Sequence, residues 1–510
     1  MATTSPCDSC SLLRGRWSPL DWRFTGSGRC LLSGSGDNGG MNAPTIDAAN
    51  KADPTSFSQL MLGAAMQDNL HKLGYLQMTP IQAASLPLAL QGKDVIAQAS
   101  TGSGKTAAFG LALLARLNPR WFAVQSLVLC PTRELADQVA TEIRRLARAE
   151  ENIKVVTVYG GVPARNQIAS LENGAHIIVG TPGRVMDLME RGAIDLSALN
   201  TFVLDEADRM LDMGFYADID QVASQCPPER QTLLFSATYP DGIAQLAQRF
   251  MREPQLVKVA AQHNTHKIEQ RWYEVAENER LHVVAQMLAH FRPESSIAFC
   301  NTKQQCRDLA EVLQAQGFSA LVLFGELEQR ERDEVLVQFS NRSCSVLVAT
   351  DVAARGLDIA NLEAVINVDT TPDPEVHIHR IGRTGRGDAD GLALSLASME
   401  EMGSVGRIEL LQGRESEWHP VSELTPASSE PLVPAMRTIQ IMGGRKEKIR
   451  AGDVLGAMTR DFGFAKEQVG KISVNDFSTY VAVSRSIANK VLTKLNNGRV
   501  KGKTVRARLL

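Results

Sequence analysis

Residues 99–106 read Ala99-Ser100-Thr101-Gly102-Ser103-Gly104-Lys105-Thr106 and follow the short apolar run Val95-Ile96-Ala97. Small residues at this spacing let backbone N–H groups close around phosphate oxygens, with a helix N-terminus behind them. Lys105 is placed to reach the β- and γ-phosphates, and the Thr106 hydroxyl to hold a metal ion. A second run, Phe202-Val203-Leu204, leads into Asp205-Glu206-Ala207-Asp208. Carboxylates at the C-terminal end of a buried strand complete the pattern of a nucleoside triphosphate site with Mg²⁺.

Outward from this loop, residues 56–262 alternate strand and helix. Short apolar or β-branched runs at 95–98, 126–130, 155–159, 177–179, 201–204 and 232–235 read as strands. The segment 134–149 reads as a helix with Leu135, Val139, Ile143 and Leu146 on one face. Such alternation predicts a mainly parallel sheet covered by helices, an α/β fold. The pattern restarts after the polar stretch 262–267. Over 263–412, strands are predicted at 297–300, 320–324, 346–349, 364–368 and 392–396, with helices at 303–316 and 329–339. This half has no phosphate loop, so it reads as a second domain of the same architecture that does not hold the nucleotide alone.

Residues 413–436 are rich in Pro, Ser and Glu and read as a linker. Over 437–510 the order β-α-β-β-α-β predicts a small α+β domain of the RNA-recognition-motif type. Residues 1–55, polar and without period, are expected to be disordered. They lack an apolar signal core, and the first forty, ahead of Met41, are expected to come from an upstream start codon.

The charge is uneven. Residues 431–510 carry 16 Lys/Arg against 5 Asp/Glu, a net of +11, which leaves −14 for the first 430 of a chain whose total is −3. A basic end on an acidic body predicts a polyanionic partner. No apolar run reaches the roughly 18 residues a membrane span needs. Cys130, Cys226, Cys300, Cys306 and Cys344 are scattered and read as buried thiols of a cytoplasmic protein. Cys7 and Cys10, with Cys30 beyond, lack the second ligand pair of a zinc site.

These motifs together resemble those of the DEAD-box ATP-dependent RNA helicases, most closely the bacterial DbpA group. The resemblance covers about residues 57–387 and continues through the basic tail. It implies two tandem RecA-like domains followed by the RNA-recognition-motif-like domain. Phe57, Tyr75, Thr79 and Gln82 match the segment that reads adenine: an amide offers a donor and an acceptor, and a ring can stack. Ser100, Thr101, Gly102, Ser103 and Gly104 join Lys105 and Thr106 around the phosphates. Asp205 would share Mg²⁺ with Thr106, and Glu206 would orient and deprotonate the attacking water. Asp208 would tie to Ser236-Ala237-Thr238. In His379-Arg380-Ile381-Gly382-Arg383-Thr384-Gly385-Arg386, the resemblance makes Arg383 and Arg386 arginine fingers. Gly356 and Asp358, in the segment from Asp351, would meet RNA and the ribose.

On the RNA side the matching residues are Pro131, Thr132, Arg133 and Glu134, then Gly160, Gly161, Thr181, Pro182, Gly183 and Arg184, and in the second half Gln329, Arg332 and Thr350. Phe324-Gly325-Glu326 stands where relatives usually have His-Gly-Asp. In the tail, Arg445, Lys446, Lys448, Lys501 and Lys503 are the basic candidates, together with Arg450, Lys471, Arg485 and Lys490. Tyr480 is the one aromatic on the domain's central strand. In the DbpA group this domain docks on a hairpin of 23S ribosomal RNA. The resemblance therefore implies a cytoplasmic monomer that assists assembly of the pre-50S particle. Two other classes share the nucleotide chemistry. One is an ATP-gated clamp that never separates strands; the other is a DNA helicase, against which the RNA-type tail argues.

Overall fold

A computed structural model describes residues 55–99, 102–239, 241–259, 268–354, 362–385, 390–428, 430 and 432–510. Residues 1–54, with Cys7, Cys10 and Cys30, lie outside this set, as do Ser100, Thr101, Gly356, Asp358 and Arg386.

Branched aliphatic runs build the first sheet: β1 (Val95–Gln98), β2 (Ser126–Leu129), β3 (Val155–Val158), β4 (Ile177–Gly180), β5 (Thr201–Asp205), β6 (Gln231–Ser236) and β7 (Gln255–Lys258). Their order is β3-β4-β2-β5-β6-β1-β7, with every neighbouring pair parallel. Helices cover both faces, so β2, β4 and β5 are buried along their whole length. That double burial is why they read as unbroken apolar runs.

The second sheet comprises β8 (Ile268–Glu274), β9 (Ser296–Phe299), β10 (Ala320–Leu323), β11 (Val346–Ala349), β12 (Ala364–Asn367), β13 (Gly391–Ala397) and β14 (Trp418–His419). Its order, β10-β11-β9-β12-β13-β8-β14, repeats the first strand for strand and is again parallel. Three strands escape the sequence pattern. β7 buries only Val257, and β8 interleaves Glu269, Gln270 and Arg271 with its apolar residues. β14 falls inside the stretch read as a linker. There Trp418 pairs with Trp272 and His419 with Tyr273, and Leu424 is buried against the second core. Composition marked this stretch as spacer, but its aromatic pair finds an aromatic edge to complete.

Asp94, immediately before β1, pins the far edge of the first sheet. Its carboxylate accepts from the backbone N–H groups of Thr232 at 2.8 Å and Arg252 at 2.7 Å, and its carbonyl accepts from Gln255 at 2.8 Å.

The third unit contains β15 (Met436–Met442), β16 (Val469–Val474), β17 (Ser478–Ser484), the hairpin β18 (Arg499–Val500) and β19 (Lys503–Thr504), and β20 (Arg506–Leu509). Four of these form an antiparallel sheet in the order β16-β17-β15-β20. Ile439, Ile441, Val481 and Val483 pack against Val454 and Met458 and against Val491 and Leu495 of helix Ala488–Asn497. The period of two turns Thr438, Gln440 and Tyr480 to the opposite face. That face lies on the end of helix Gln329–Ser340 in the second half. Thr438 Oγ1 accepts from Asn341 Nδ2 at 3.0 Å and lies 2.7 Å from Ser343 Oγ. Arg508 pairs with Glu334, and Lys471 donates to Ser340.

Replacing Asp94 with Ala leaves two backbone N–H groups without an acceptor, one of them fully buried. Asp94→Ala should lower the unfolding free energy by about 2 kcal/mol or more. Deuterium exchange should quicken at Thr232 and across Gln255–Lys258, with Asp94→Asn milder; unchanged exchange there would refute this role.

Candidate functional site

Strand register assembles the nucleotide end. Gln98 on β1 pairs with Ser236 on β6, and Phe235 on β6 pairs with Asp205 on β5. The phosphate loop, the acidic run and Ser236-Ala237-Thr238 therefore leave the same edge of the sheet side by side. Gly102 and Gly104 take positive φ angles of 82° and 92°. At Gly104 a Cβ would fall 2.5 Å from Gln82 Nε2, so only glycine lets the Gln82 amide lie against the loop. Gln82 donates to the Gly104 carbonyl at 3.0 Å and accepts from Thr79 N–H at 2.9 Å. Phe57 and Tyr75 meet edge to face at 6.2 Å; Phe57 is buried, and the Tyr75 hydroxyl is taken by Glu142. Ser103 and Thr106 are half-buried where helix Lys105–Ala115 begins.

Lys105 is buried and donates to the Ala99 carbonyl at 3.0 Å. Burial pushes the Asp205 carboxyl up to about 7, with Lys105 opposing and Glu206 and Asp208 reinforcing the shift. Its Oδ1 is enclosed without a hydrogen-bond partner among the described residues. An orphaned carboxylate oxygen beside a phosphate loop fits a hard divalent cation. Glu206 has a left-handed backbone, φ 52°, an uncommon setting for a residue with a Cβ. Asp208 makes the expected tie: one oxygen accepts from Ala237 N–H at 3.2 Å and from Thr238 N–H and Oγ1 at 3.1 Å.

In the second half Arg383 is half-buried, and its carbonyl accepts from Leu362. Arg380, three residues earlier, is fully enclosed. It holds Asp351 through two 2.7 Å bonds, donates to the Asp369 carbonyl at 2.7 Å and lies over the Phe299 ring. The sequence pattern named Arg380 only as part of a run; burial marks it as the brace for the loop that carries Arg383.

The RNA-side residues fall into two groups. Thr132 caps helix Arg133–Leu146 from a turn that begins at buried Pro131. The Arg133 guanidinium lies across Gly161, where a Cβ would come within 2.2 Å of it, and its Nη1 is buried without a partner among the described residues. Gly160 borders open space. Arg184 is committed internally, to the Val162 carbonyl, Gln167 and Asp187, and so shapes the Gly160-Gly161 turn from helix Pro182–Glu190. Thr181 precedes that helix, and its Gly183 approaches Asp218. Thr350 caps the short helix Asp351–Ala354 through its carbonyl. Arg332 spans the two halves: Nε donates to Glu134 at 2.5 Å and Nη2 to the Ala353 carbonyl at 2.7 Å. The sequence pattern placed Glu134 only in the run 131–134 on the RNA side, where nothing signals a partner some two hundred residues away.

In the tail, Arg445, Lys446, Lys448, Lys501 and Lys503 are exposed. Lys501 and Lys503 reach back to the carbonyls of Lys448 and Glu447, gathering the set on one end of the domain. Tyr480 is not brought to that surface. It is 3 % exposed, its hydroxyl accepts from Gln440, and its face of the sheet is covered by the second half. In this arrangement no base can stack on it.

Comparison with known proteins follows the same three-part division. Residues 79–246 match the DEAD/DEAH box helicase family, 279–388 the helicase conserved C-terminal domain and 438–509 the DbpA RNA binding domain. The chain is 50% identical to the ATP-dependent RNA helicase DbpA of Escherichia coli over 459 residues, 89% of this chain and all of that one. It is 45% identical to the DEAD-box ATP-dependent RNA helicase CshA of Geobacillus kaustophilus over 71% of this chain and 78% of that one. Among solved structures it resembles S. cerevisiae Dbp5 bound to RNA and ADP BeF3, with TM-score 0.67 and 31% identity over 72% of this chain and 96% of that one.

Gly161→Ala should push the Arg133 guanidinium aside and strain the turn. If Arg133 grips a phosphate, the RNA concentration for half-maximal ATPase should rise about tenfold or more, with ATP affinity kept. An unchanged RNA requirement would remove Arg133 from the RNA surface.

Proposed function

We build our proposal on one premise: this chain belongs to the DEAD-box ATP-dependent RNA helicases of the DbpA type. It is an RNA-stimulated ATPase, and we propose how its residues divide that work. Lys105, Gly102, Ser103 and Gly104, with Ser100 and Thr101, hold the triphosphate, while Phe57, Tyr75, Thr79 and Gln82 select adenine. Thr106 and Asp205 would hold Mg²⁺, which neutralises phosphate charge when bound. Glu206 orients the attacking water and takes its proton. Arg383 and Arg386 approach the γ-phosphate from the second half, and Gly356 and Asp358 line the ribose and RNA. A finger of this kind is worth about 10³–10⁵ in rate.

RNA in this reading crosses Thr132, Arg133, Gly160, Gly161, Thr181 and Gly183, then Arg332 and Thr350. Pro131, Pro182 and Arg184 shape the turns beneath it. The observation that carries the proposal is the division of the site between two sheets of identical strand order, joined by the Arg332–Glu134 pair. Closure brings both sets of residues to one nucleotide, so hydrolysis waits for RNA to span the halves. Short duplexes would be opened locally, by bending one strand.

We further propose that Arg445, Lys446, Lys448, Lys501 and Lys503 dock the enzyme on 23S ribosomal RNA within the pre-50S particle. The protein would act there as a cytoplasmic monomer. Among the described residues, no helix is long and apolar enough to cross a membrane. The exposed basic set supports docking by phosphate contacts rather than by stacking on the sheet.

Two measurements test this. Glu206→Gln should abolish RNA-stimulated hydrolysis while RNA still binds, and retained turnover would refute the assigned base. Against a panel of ribosomal RNA fragments, one 23S hairpin should stimulate the ATPase best. R445S/K446S/K448S should erase that preference and flatten the salt dependence of binding. Equal stimulation by random RNA would remove the docking assignment, and hydrolysis with no duplex opening would favour an ATP-gated clamp.

A further inference from the structure

We propose that Phe477 is a stacking platform for an unpaired RNA base, the aromatic contact that Tyr480 does not provide. This rests on the reading that the third domain binds RNA and adds where a base, rather than a phosphate, is held.

Phe477 lies in the turn between β16 and β17 and is 67 % exposed, with Met442 beside that strand end 44 % exposed. A single exposed apolar side chain is ordinary on a protein surface. What distinguishes this one is the frame around it. The turn 475–477 is fastened to the basic loop 443–448: Arg445 N–H donates to the Asn475 carbonyl at 2.8 Å and Lys446 N–H to the Asp476 carbonyl at 2.9 Å. Gly444 lies so close to this turn that a Cβ would meet the Asn475 oxygen at 2.1 Å. Asn475 N–H closes the turn on the Ser478 carbonyl at 2.8 Å. The ring is thus carried on a braced turn, which lowers the entropy lost on stacking.

The neighbouring charges suit a polynucleotide. Arg445 and Lys446 are exposed on the loop fastened to this turn, Arg445 lying 3.8 Å from the Asp476 carboxylate, and exposed Arg506 pairs across the sheet with Met442. Arg445 is also within electrostatic reach of Asp137 and Arg144 on helix Arg133–Leu146, whose first residue is Arg133. A strand leaving the first half's RNA surface therefore meets cations for its phosphates and a ring for a base. Every base has a π-face, so the contact selects unpaired over paired RNA without reading sequence.

The test uses the full chain without ATP and two probes: a single-stranded 12-nucleotide RNA containing 2-aminopurine, and a blunt RNA duplex. Phe477→Ala should weaken single-strand binding by about 5- to 100-fold, with duplex affinity unchanged. The quenching of 2-aminopurine on binding should be lost in Phe477→Ala and restored in Phe477→Trp. Wild-type affinity and quenching in Phe477→Ala would overturn the proposal, as would an equal loss on the duplex. RNA-stimulated ATPase by the wild-type chain separates the cases. Its absence would defeat the functional reading, whereas its presence with an indifferent Phe477→Ala would defeat this inference alone.

Discussion

The pair formed by Arg332 and Glu134 is the constraint on which the two-lobed arrangement depends. Each side chain is more than four-fifths withdrawn from water, and each stands within the first turn of its own helix. One helix begins at Arg133, beside the Gly160-Gly161 turn. The other lies under the third domain. A buried ion pair adds little net stability, because desolvation cancels most of its attraction, yet breaking it strands a charge. Such a contact separates two states sharply. Either the lobes are together and both charges are met, or they are apart and both are solvated. In the proposed function, RNA phosphates at Arg133 and Arg332 would bias that choice, and so would a nucleotide at the phosphate loop, which leaves the same C-terminal edge of the first sheet as the turn before Arg133.

The same helix decides how the third domain recognises RNA. Its carboxyl end and the following turn occupy the open face of the β15–β17 sheet through Asn341, Ser343 and Thr438. A domain of this architecture ordinarily offers that face to bases. Here the face is spent on attachment, and the proposed recognition falls to the loops at the sheet's end that carry the exposed cations and Phe477. The attachment also means that the third domain and the second lobe share one rigid element, helix Gln329–Ser340.

Legibility in the sequence followed burial. Strands covered on both faces announced themselves as apolar runs, and the phosphate loop and acidic run were readable because their chemistry needs fixed residue types at fixed spacing. β7, β8 and β14 were not readable. β7 lies at a sheet edge and β8 is flanked on one side by only the two-residue β14, so each leaves polar residues exposed among its apolar ones, and β14 itself depends on Trp272 and Tyr273 far away in the chain. Tyr480 shows a different limit: a period of two says that a residue leaves the core face but not what covers the other side. Glu134 and Arg380 carry no local signal of their partners. Only the fold brings Asp351 and Arg332 to them.

The repeated strand order also explains why only one lobe needs a nucleotide. β8 occupies in the second sheet the place of β1 in the first, and the helix after each begins with a buried cation, Arg280 and Lys105. Lys105 meets a backbone carbonyl at 3.0 Å, and Asp205, the last residue of β5, keeps an oxygen without a partner among the described residues. Arg280 is already satisfied: it lies 3.4 Å from Asp369 beyond β12, the counterpart of β5, and pairs with Glu401 at 2.7 Å and Glu277 at 2.9 Å. The second lobe therefore fills with its own carboxylates the position that the first leaves for phosphate. With the charge of Arg280 closed internally, it gains nothing from a nucleotide of its own.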